Sequence, residues 1–390
     1  MSPTTPDDRR RQAERRRTYR RRRLAAGGVL AGVGLAVWAA VAATSGGRDA
    51  SAAAGTATTT VPSPAPAPAP APPAARVRVA VVGDIVMGSP PYGLPPDGGA
   101  SFFRPVRGML DGDVVLGNLE GTFATTGGSK CAPGSSSCFA FRTPPSYARW
   151  LKRAGFTVMN LANNHAFDFG SAGEAETVRA LDGAGLLHMG RPGEVAKQQV
   201  GGVRVALLGF APYRWANSLT DIPAARRLVA QAARQADVVI VMIHAGAEGS
   251  DKIHLRPGPE TFLGEPRGDS MAFARAVVDA GADLVVGSGP HVMRGMQFRN
   301  GRLIAYSMGN FAGYKVFSLR GNSSTSGVLQ VTLGADGRFV SGRIVPTQLV
   351  GAGTPAPGGA GMSLVASLSR EDFGATGARV AADGTIRPPA

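Results

Sequence analysis

Five apolar runs of this chain end in side chains that can bind a metal ion or move a proton. They end at Asp84 in GDIVMG; at Asn118 and Glu120 in GNLEGTF; at Asn163, Asn164, His165 and Asp168 in NLANNHAFDFG; at His244 and Glu248 in IHAGAEG; and at His291 in GSGPHV. Ligands of open α/β sheets sit outside the carboxyl ends of the strands, so we expect these groups to converge. Carboxylate, amide and imidazole groups suit Mn, Mg, Zn or Fe, and the pattern predicts a site for one or two divalent ions.

Each of these pieces also has an ordinary structural explanation. An aspartate after a strand is often a helix cap, Asn118 can satisfy loop amides, and a buried histidine is often a hydrogen-bonded core residue. Their joint occurrence at successive strand ends favours a site. The other two histidines, His188 and His254, fit ordinary loop or strand-edge positions, and Glu265 or Asp269 can cap the helix that follows them.

The elements that must position these residues alternate between short β-rich runs and helix-like segments. The runs predicted as strands are residues 77–83, 114–118, 156–162, 203–210, 238–244, 282–288 and 303–309. The segments predicted as helices are residues 144–155, 172–185, 222–236 and 269–281. Strands that alternate with helices of about ten to fifteen residues argue for an α/β architecture.

The last part of the chain has a different pattern. Residues 327–350 predict an antiparallel hairpin that turns at the ADG of residues 335–337. Residues 351–390 form a Gly/Pro/Ala-rich C-terminal extension with one helix-like piece near SLVASLSRED. We expect the last part of this extension, roughly fifteen residues, to be loose.

The formal charge of +15 is concentrated at the N-terminus. Residues 1–23 hold ten arginines against three acids and precede an uncharged apolar segment, residues 24–44. Such a segment is long enough to span a bilayer, and arginines before it predict a cytoplasmic N-terminus. We therefore expect a single transmembrane helix, a signal-anchor in the cell membrane, with the main domain outside the cytoplasm. The alternative is a cleaved signal peptide and a secreted protein.

The linker after the apolar segment is rich in alanine and proline. Residues 45–75 favour extended polyproline II and predict a stalk, so the folded domain is expected over residues 76–350. Topology and attraction to anionic lipid account for the basic tail, and a nucleic-acid partner is therefore not expected.

The two cysteines lie close together in a Gly/Ser-rich loop. Cys131 and Cys138 have no histidine beside them and make at best half of a metal site. In an oxidising compartment a local disulfide is the more natural outcome, and it would pin the loop.

The ordered set GDIVMG, GNLEGTF, NLANNHAFDFG, IHAGAEG, GSGPHV and AYSMGNF resembles the CapA family of bacterial capsule and poly-γ-glutamate synthesis proteins. The resemblance runs from about Val77 to about Val350. It implies the four-layer α/β/β/α sandwich of the related calcineurin-like metallophosphoesterases. It also implies a membrane-tethered domain that handles an anionic envelope polymer, poly-γ-glutamate or capsular polysaccharide, beside other capsule-synthesis subunits.

The resemblance implies a role for most of the strand-end residues. Asp84 matches a ligand of one metal, Asn164 an amide ligand of the second, and His244 and His291 the metal histidines. Asn118 or Glu120 matches the bridging acid, and Glu120 is favoured because a neutral amide is a poor bridge between two cations. His165 matches a histidine near the leaving group, and Asp168 is close enough to orient it.

The match departs from the phosphoesterase pattern at two ligand positions. Val86 and Gly289 stand where those enzymes have histidines. One metal ion, or an ion bound only together with substrate, therefore fits the sequence as well as a full dinuclear centre.

Four further polar residues are weaker candidates. Tyr306, Ser307 and Asn310 in AYSMGNF are hydrogen-bonding groups at a strand end, although a strand ending in a Gly-Asn turn would explain them equally well. Arg142 in FRTPP can bind a carboxylate or phosphate through its planar fork, or lie solvated in a loop.

Three functional hypotheses are compatible with these residues. The first is a metal-dependent hydrolase or transferase in which His165 acts as an acid or electrostatic stabiliser. The second is a non-catalytic polymer-binding subunit of a membrane export complex, motivated by the two missing ligands. The third is a secreted nucleotide phosphatase that uses the same site.

Overall fold

The computed structural model describes residues 75–135 and 138–390. The predicted basic tail, the apolar segment and nearly all of the predicted stalk lie outside the described residues. Within the described part of the chain, no helix is both long enough and apolar enough to cross a membrane.

The described chain contains twenty strands and five α-helices. In chain order they are β1 (Arg76–Val86), β2 (Val114–Leu119), β3 (Thr122–Phe123), β4 (Arg142–Thr143), α1 (Ala148–Ala154), β5 (Val158–Asn160), α2 (Gly170–Gly183), β6 (Leu187–Met189), β7 (Ala196–Val200), β8 (Val203–Phe210), α3 (Ile222–Ala233), β9 (Val238–His244), β10 (Glu260–Phe262), β11 (Glu265–Gly268), α4 (Ser270–Asp279), β12 (Leu284–Ser288), β13 (Met296–Arg299), β14 (Arg302–Ala305), β15 (Asn310–Gly313), β16 (Thr325–Gly334), β17 (Phe339–Val350), β18 (Thr354–Pro357), α5 (Gly361–Phe373), β19 (Arg379–Val380) and β20 (Thr385–Arg387).

Most of the strands belong to two mixed sheets. The first sheet has ten strands in the order β19-β20-β17-β16-β1-β2-β5-β6, with β15 also paired to β1 and β18 to β17. The second sheet has six strands in the order β13-β14-β12-β9-β8-β7. Two short ribbons, β3-β4 and β10-β11, stand apart from them.

The largest hydrophobic cluster lies between the two sheets. It joins Val79 and Leu116 of the first sheet to Leu207 and Ile240 of the second, all of them buried. Because successive side chains of a strand point to opposite faces, the alternate residues of the same strands pack outward.

The outward-facing residues of each sheet are covered by helices. Val82 of β1 packs in one cluster with Leu151 of α1 and Leu181 of α2. On the other side, Val241 of β9 packs with residues of α3 and α4, including Phe273. The described chain is therefore a mixed α/β fold, as the alternating pattern predicts. Strands covered on both faces explain why β9, VVIVMIH, reads as a continuous apolar run.

The parallel pairing of the central strands brings their carboxyl ends together. Asp84 of β1 is in register with Asn118 of β2, and Asn118 is in register with Asn160 of β5. In the second sheet, Ser288 of β12 is in register with His244 of β9. Two clusters of polar strand ends therefore form at corresponding edges of the two sheets.

Most of the predicted elements are present. Strands β8 and β9 have the predicted bounds, and the predicted hairpin forms from β16 and β17. The expectation of a loose C-terminus is wrong, because β20 pairs with β17 and Ile386 is buried in the cluster between the sheets. The two short strands β19 and β20 gave no signal in the sequence, since each has only two or three residues; β20 pairs with β17, and β19 pairs with β20.

Candidate metal centre

Asp84 is fully buried at the end of β1, where its two oxygens are bound from two sides. The Asn118 amide donates to Oδ1 at 2.8 Å. The Gly289 N–H donates to Oδ2 at 3.3 Å, and His291 Nδ1 lies 3.1 Å from the same oxygen. Burial would raise the pKa of Asp84, but the contacts with His244 and His291 outweigh it and hold the pKa well below its usual range. Asp84 is therefore an anion with a fixed orientation.

Glu120 follows β2 and is fully buried in an unusual environment. Neither carboxylate oxygen finds a hydrogen-bond donor among the described residues. Burial, and secondly the charge of Asp84, raise the pKa of Glu120 well above its ordinary value. A buried carboxylate with no donor is costly unless a cation binds it, so Glu120 fits a metal ligand.

His244 ends β9 and brings its ring to the same place from the second sheet. Its Nδ1 lies 3.7 Å from Asp84 Oδ1, and its Nε2 lies 3.6 Å from Glu120 Oε1. The side chains of Asn118 and Ser288 approach Nδ1 at 3.1 and 3.2 Å. Burial lowers the pKa of His244 to about 4, so the ring is neutral and can act as a ligand.

His291 lies after β12 with its backbone in the left-handed region, at φ 61°. Asn310 contacts both the ring and the backbone of His291. Its Oδ1 lies 2.9 Å from His291 Nδ1, and its Nδ2 donates to the His291 carbonyl at 3.1 Å. Burial would lower the pKa of His291, but Glu120, Asp84 and Glu248 raise it to about 10. The strained backbone and the hydrogen bonds of Asn310 aim this ring at the carboxylates.

The loop after β5, residues 161–170, holds the densest set of polar contacts and is called the β5 loop below. Asn163 donates to Asn118 Oδ1 at 3.0 Å and accepts the His165 N–H at 3.0 Å. His165 Nδ1 lies 2.8 Å from Asp168 Oδ2. Asp168 also accepts the Phe141 N–H at 2.6 Å and lies 2.7 Å from the Lys130 ammonium. Asn163 thus ties the loop to β2, and Asp168 orients the imidazole of His165.

Asn164 and His165 are the two residues of this loop that suit direct contact with a metal ion or a substrate. The side-chain oxygen of Asn164 is buried and has no donor among the described residues, which suits a metal ligand. Burial lowers the pKa of His165, and the carboxylate of Asp168 raises it. Burial has the larger effect, so the net shift favours the neutral ring.

Arg267 is a member of the site that the sequence analysis missed. It lies in β11, is fully buried, and points Nη2 toward His244 Nε2 at 3.4 Å. Its Nη1 lies 2.9 Å from Glu248, whose other oxygen lies 3.6 Å from His291 Nε2. The neighbouring Asp269 caps α4, as expected, by accepting the Ala272 N–H at 2.8 Å. No strand-end pattern marks Arg267, because it comes from a separate ribbon.

Three predicted candidates lie away from the cluster or have other partners. Tyr306 donates to Gln297 at 3.0 Å on the helix-facing side of the second sheet, and burial raises its pKa to about 12. Ser307 accepts the Gly309 N–H at 3.3 Å. The Arg142 guanidinium lies 3.6 Å above the Phe169 ring and donates to backbone carbonyls of residues 125–127.

The cysteine loop forms as a local disulfide between Cys131 and Cys138. Lys130, directly before it, also donates to the Asn164 carbonyl at 3.0 Å. The disulfide loop therefore borders the β5 loop.

The donor set of the cluster suits a divalent cation. One ligand atom from each of Asp84, Glu120 and His244 lies within 4.8 Å of the others. His291 Nε2 lies 3.7 Å from Glu120 Oε1, on the same cluster. The orphaned oxygens of Glu120 and Asn164 are the observation that a bound cation would explain.

Comparisons with known proteins agree with the ordered motifs. The family model for "Bacterial capsule synthesis protein PGA_cap" matches residues 78–315. The chain is 32% identical over 254 residues to the PGA biosynthesis protein CapA of Bacillus subtilis, which covers 60% of this chain and 63% of that protein. It is 33% identical over 258 residues to the capsule biosynthesis protein CapA of Bacillus anthracis, covering 60% of this chain and 59% of that protein. The matches thus span less than two thirds of these relatives.

A comparison with solved structures gives a match of lower sequence identity. The 5'-nucleotidase precursor of Thermus thermophilus superposes with a TM-score of 0.39 at 16% identity, covering 70% of this chain and 54% of that chain.

Proposed function

Because the chain belongs to the PGA_cap family of bacterial capsule synthesis proteins, we propose that it acts in the synthesis or export of an anionic cell-envelope polymer. The polymer is poly-γ-glutamate or a capsular polysaccharide, and the protein acts on it through a metal-dependent site of the hydrolase type on a metallophosphoesterase-like sandwich. The single observation that supports this site is the buried carboxylate of Glu120, which has no hydrogen-bond donor within the described part of the chain and lies beside Asp84 and two histidines.

The residues of the cluster divide into two groups by their contacts. Asp84, Glu120, His244 and His291 would hold a divalent ion, with Asn164 as a further oxygen ligand. An ion bound there would supply Lewis-acid charge to a phosphoryl or acyl oxygen and an activated water. His165, held by Asp168, would stabilise charge or donate a proton at the reacting bond.

The location of the protein is part of the same proposal. The uncharged segment of residues 24–44 after an arginine-rich tail would anchor the chain in the cell membrane, and the proline-rich stalk would hold the domain outside the cytoplasm. The disulfide Cys131–Cys138 supports an oxidising compartment.

The proposal is tested on the full-length chain purified in detergent. We expect the protein to bind a divalent ion and to turn over either a phosphodiester or a γ-linked glutamate oligomer, with activity lost in His165→Ala. Arg142→Gln serves as the matched control, since Arg142 bonds backbone carbonyls outside the cluster. Absence of both bound metal and turnover, with a cellular phenotype of His165→Ala equal to wild type, would refute it.

A second candidate function is a polymer-binding subunit that does not catalyse a reaction. The observation that favours it is the loss of two ligand positions, Val86 and Gly289, from the phosphoesterase pattern. In that case His165→Ala would still support polymer production in cells, whereas deletion of residues 1–44 would abolish it. Loss of polymer production in both variants would favour the catalytic function.

A further inference from the structure

The guanidinium of Arg267 is bound by protein groups through all three of its nitrogens. Its Nε donates to the Gly246 carbonyl at 3.0 Å, and Nη1 donates to the Tyr213 hydroxyl at 2.9 Å. Its Nη2 donates to the Gly289 carbonyl at 3.1 Å and points toward His244 Nε2. All three nitrogens are therefore engaged, and the side chain is fully buried. The guanidinium of Arg267 therefore places a positive charge in the buried interior of the site.

The charge of Arg267 lies against His244, a proposed ligand of the single ion, and against Glu248. His244 Nε2, toward which it points, is the ring atom that lies 3.6 Å from Glu120 Oε1. The Glu248 carboxylate, 2.9 Å from Nη1, lies on the side of His291. Arg267 thus contacts an imidazole nitrogen and a carboxylate, the same two kinds of group that ligate a divalent ion.

The backbone beside Arg267 leaves no room for the missing ligand at position 289. Gly289 has φ +110°, a region that residues with a side chain rarely adopt. A Cβ added there would lie 2.9 Å from the Ala245 backbone nitrogen and 3.2 Å from a carbon of the His244 ring. The absence of a histidine at this position is therefore built into the backbone path, and Arg267 donates to the carbonyl of the same residue.

We propose that Arg267 takes the place of a second divalent ion, so that the centre binds one ion. The charges of the site balance in this state. Asp84, Glu120 and Glu248 supply three negative charges, and Arg267 with one divalent ion supplies three positive charges when His244 and His291 bind the ion, because an imidazole that ligates a metal is neutral. A second divalent ion would leave a buried excess of two positive charges, which is expensive in a low-dielectric site.

The consequence is a centre in which only one of the two cations can dissociate. A chelator would remove the ion and leave the charge of Arg267 in place. The guanidinium supplies a fixed positive charge beside the ion, but unlike a metal ion it cannot ligate a water through a free coordination position. This inference rests on the metal site of the proposed function, and the following measurement separates the two.

The first test is the stoichiometry of the unmodified full-length chain. The metal-free protein is titrated with Mn²⁺ by calorimetry, and the dialysed product is analysed for metal by mass spectrometry. We expect one ion per chain. Two ions per chain would overturn the role of Arg267 and leave the proposed function intact, whereas no bound ion would overturn both.

The second test changes the charge of Arg267. Arg267→Met removes the positive charge beside the site, so we expect the Mn²⁺ affinity to rise about tenfold or a second ion to bind. Arg267→Lys keeps the charge, and one ion with an affinity near that of wild type is expected. A folded Arg267→Met with wild-type affinity and stoichiometry would contradict the inference.

The matched controls guard against loss of folding. Arg294 is equally buried and binds Glu260 at 2.7 Å, so the double variant Arg294→Met/Glu260→Gln removes a comparable pair outside the ligand set. Its ion affinity should equal that of wild type. If Arg267→Met does not fold, Arg267→Met/Glu248→Gln removes both charges of its pair and avoids an uncompensated buried carboxylate. This double variant should bind one ion, because the charges then still balance with one divalent ion and two carboxylates; two ions would contradict the proposal.

Discussion

The two sides of the metal centre are built in different ways. In the β5 loop, the residues that contact one another are close in sequence: Asn163 accepts from His165, and Asp168 holds the ring three positions away. On the opposite side, His244 and Arg267 come from separate elements, β9 and β11, and meet only in the folded chain. The first side is a local motif, and the second is a tertiary arrangement.

The two sides of the site also differ in how their buried charges are compensated. Every charge of the β5 loop has a close partner, because Asp168 contacts His165, Lys130 and the Phe141 amide. The carboxylate of Glu120, which faces the other side, has no donor among the described residues. The β5 loop should therefore be stable without metal, whereas the Glu120 side should need a cation.

The largest effect is expected from Glu120→Gln. The amide removes a ligand charge, so the Mn²⁺ affinity should fall about a thousandfold, or about 4 kcal/mol. The same change removes a buried carboxylate that accepts no hydrogen bond from the described residues, so the metal-free protein should become more stable by about 2 kcal/mol. Calorimetric titration and urea unfolding in the presence of a chelator measure the two effects. A metal-free variant that is less stable than wild type would show that Glu120 is well solvated or paired without metal.

The strand ends on both sides of the site could be predicted from the sequence. Apolar runs that finish in Asp84, Asn118 and His244 belong to parallel strands, and parallel strands end at a common edge. The β5 loop could also be predicted, because its contacts span two or three residues.

Arg267 could not be predicted in this way, since its position depends on how the β10-β11 ribbon folds back over the centre. The ribbon has no strong apolar pattern, and its arginine lies between residues that look like helix caps. The candidate Tyr306 lies away from the centre for a different reason. Its neighbours Leu303 and Ala305 face the space between the sheets, so the alternation of the strand sends Tyr306 to the helix-covered face.

A smaller effect is expected from Asp168→Ala in the β5 loop. The substitution leaves the Phe141 N–H without its acceptor and the Lys130 ammonium without its buried partner, so the protein should lose about 3 kcal/mol of stability. The loss should be the same with and without Mn²⁺, because the partners of Asp168 are protein groups that are present in both states. Urea unfolding under both conditions measures it.

Asp372→Ala is the matched control for that variant. Asp372 also lies 2.8 Å from a histidine, His254, but half of the His254 side chain is exposed. We expect a loss of about 1 kcal/mol. Equal losses in the two variants would mean that the β5 loop is no more tightly coupled than a pair whose histidine is half exposed.

A third prediction, with a smaller effect than those of Glu120→Gln and Asp168→Ala, concerns a buried carboxylate far from the metal centre. Asp283 accepts the Val239 N–H at 2.8 Å and lies 3.1 Å from Arg302, yet burial raises its pKa to about 6. A raised folded-state pKa means that the stabilisation is present below the ordinary value, 3.8, and is lost as pH rises through 6. Wild type should lose stability as pH rises from 4 to 7, and Asp283→Asn should not. The free energy of unfolding of Asp283→Asn, relative to that of wild type, should therefore rise by about 2 kcal/mol over this range.

The response of this pH effect to metal separates the two kinds of buried carboxylate. Mn²⁺ should offset the cost of burying Glu120, because a cation binds it. It should leave the difference between wild type and Asp283→Asn unchanged, because the partners of Asp283 are Val239 and Arg302 rather than a metal ligand. Urea unfolding at pH 4 and pH 7, each with Mn²⁺ and with chelator, measures the difference. If Mn²⁺ abolished the pH dependence that Asp283→Asn removes, the ion would stabilise a buried carboxylate that it does not contact. The effect of Mn²⁺ would then not be specific to Glu120, which would contradict the contrast between the β5 loop and the Glu120 side.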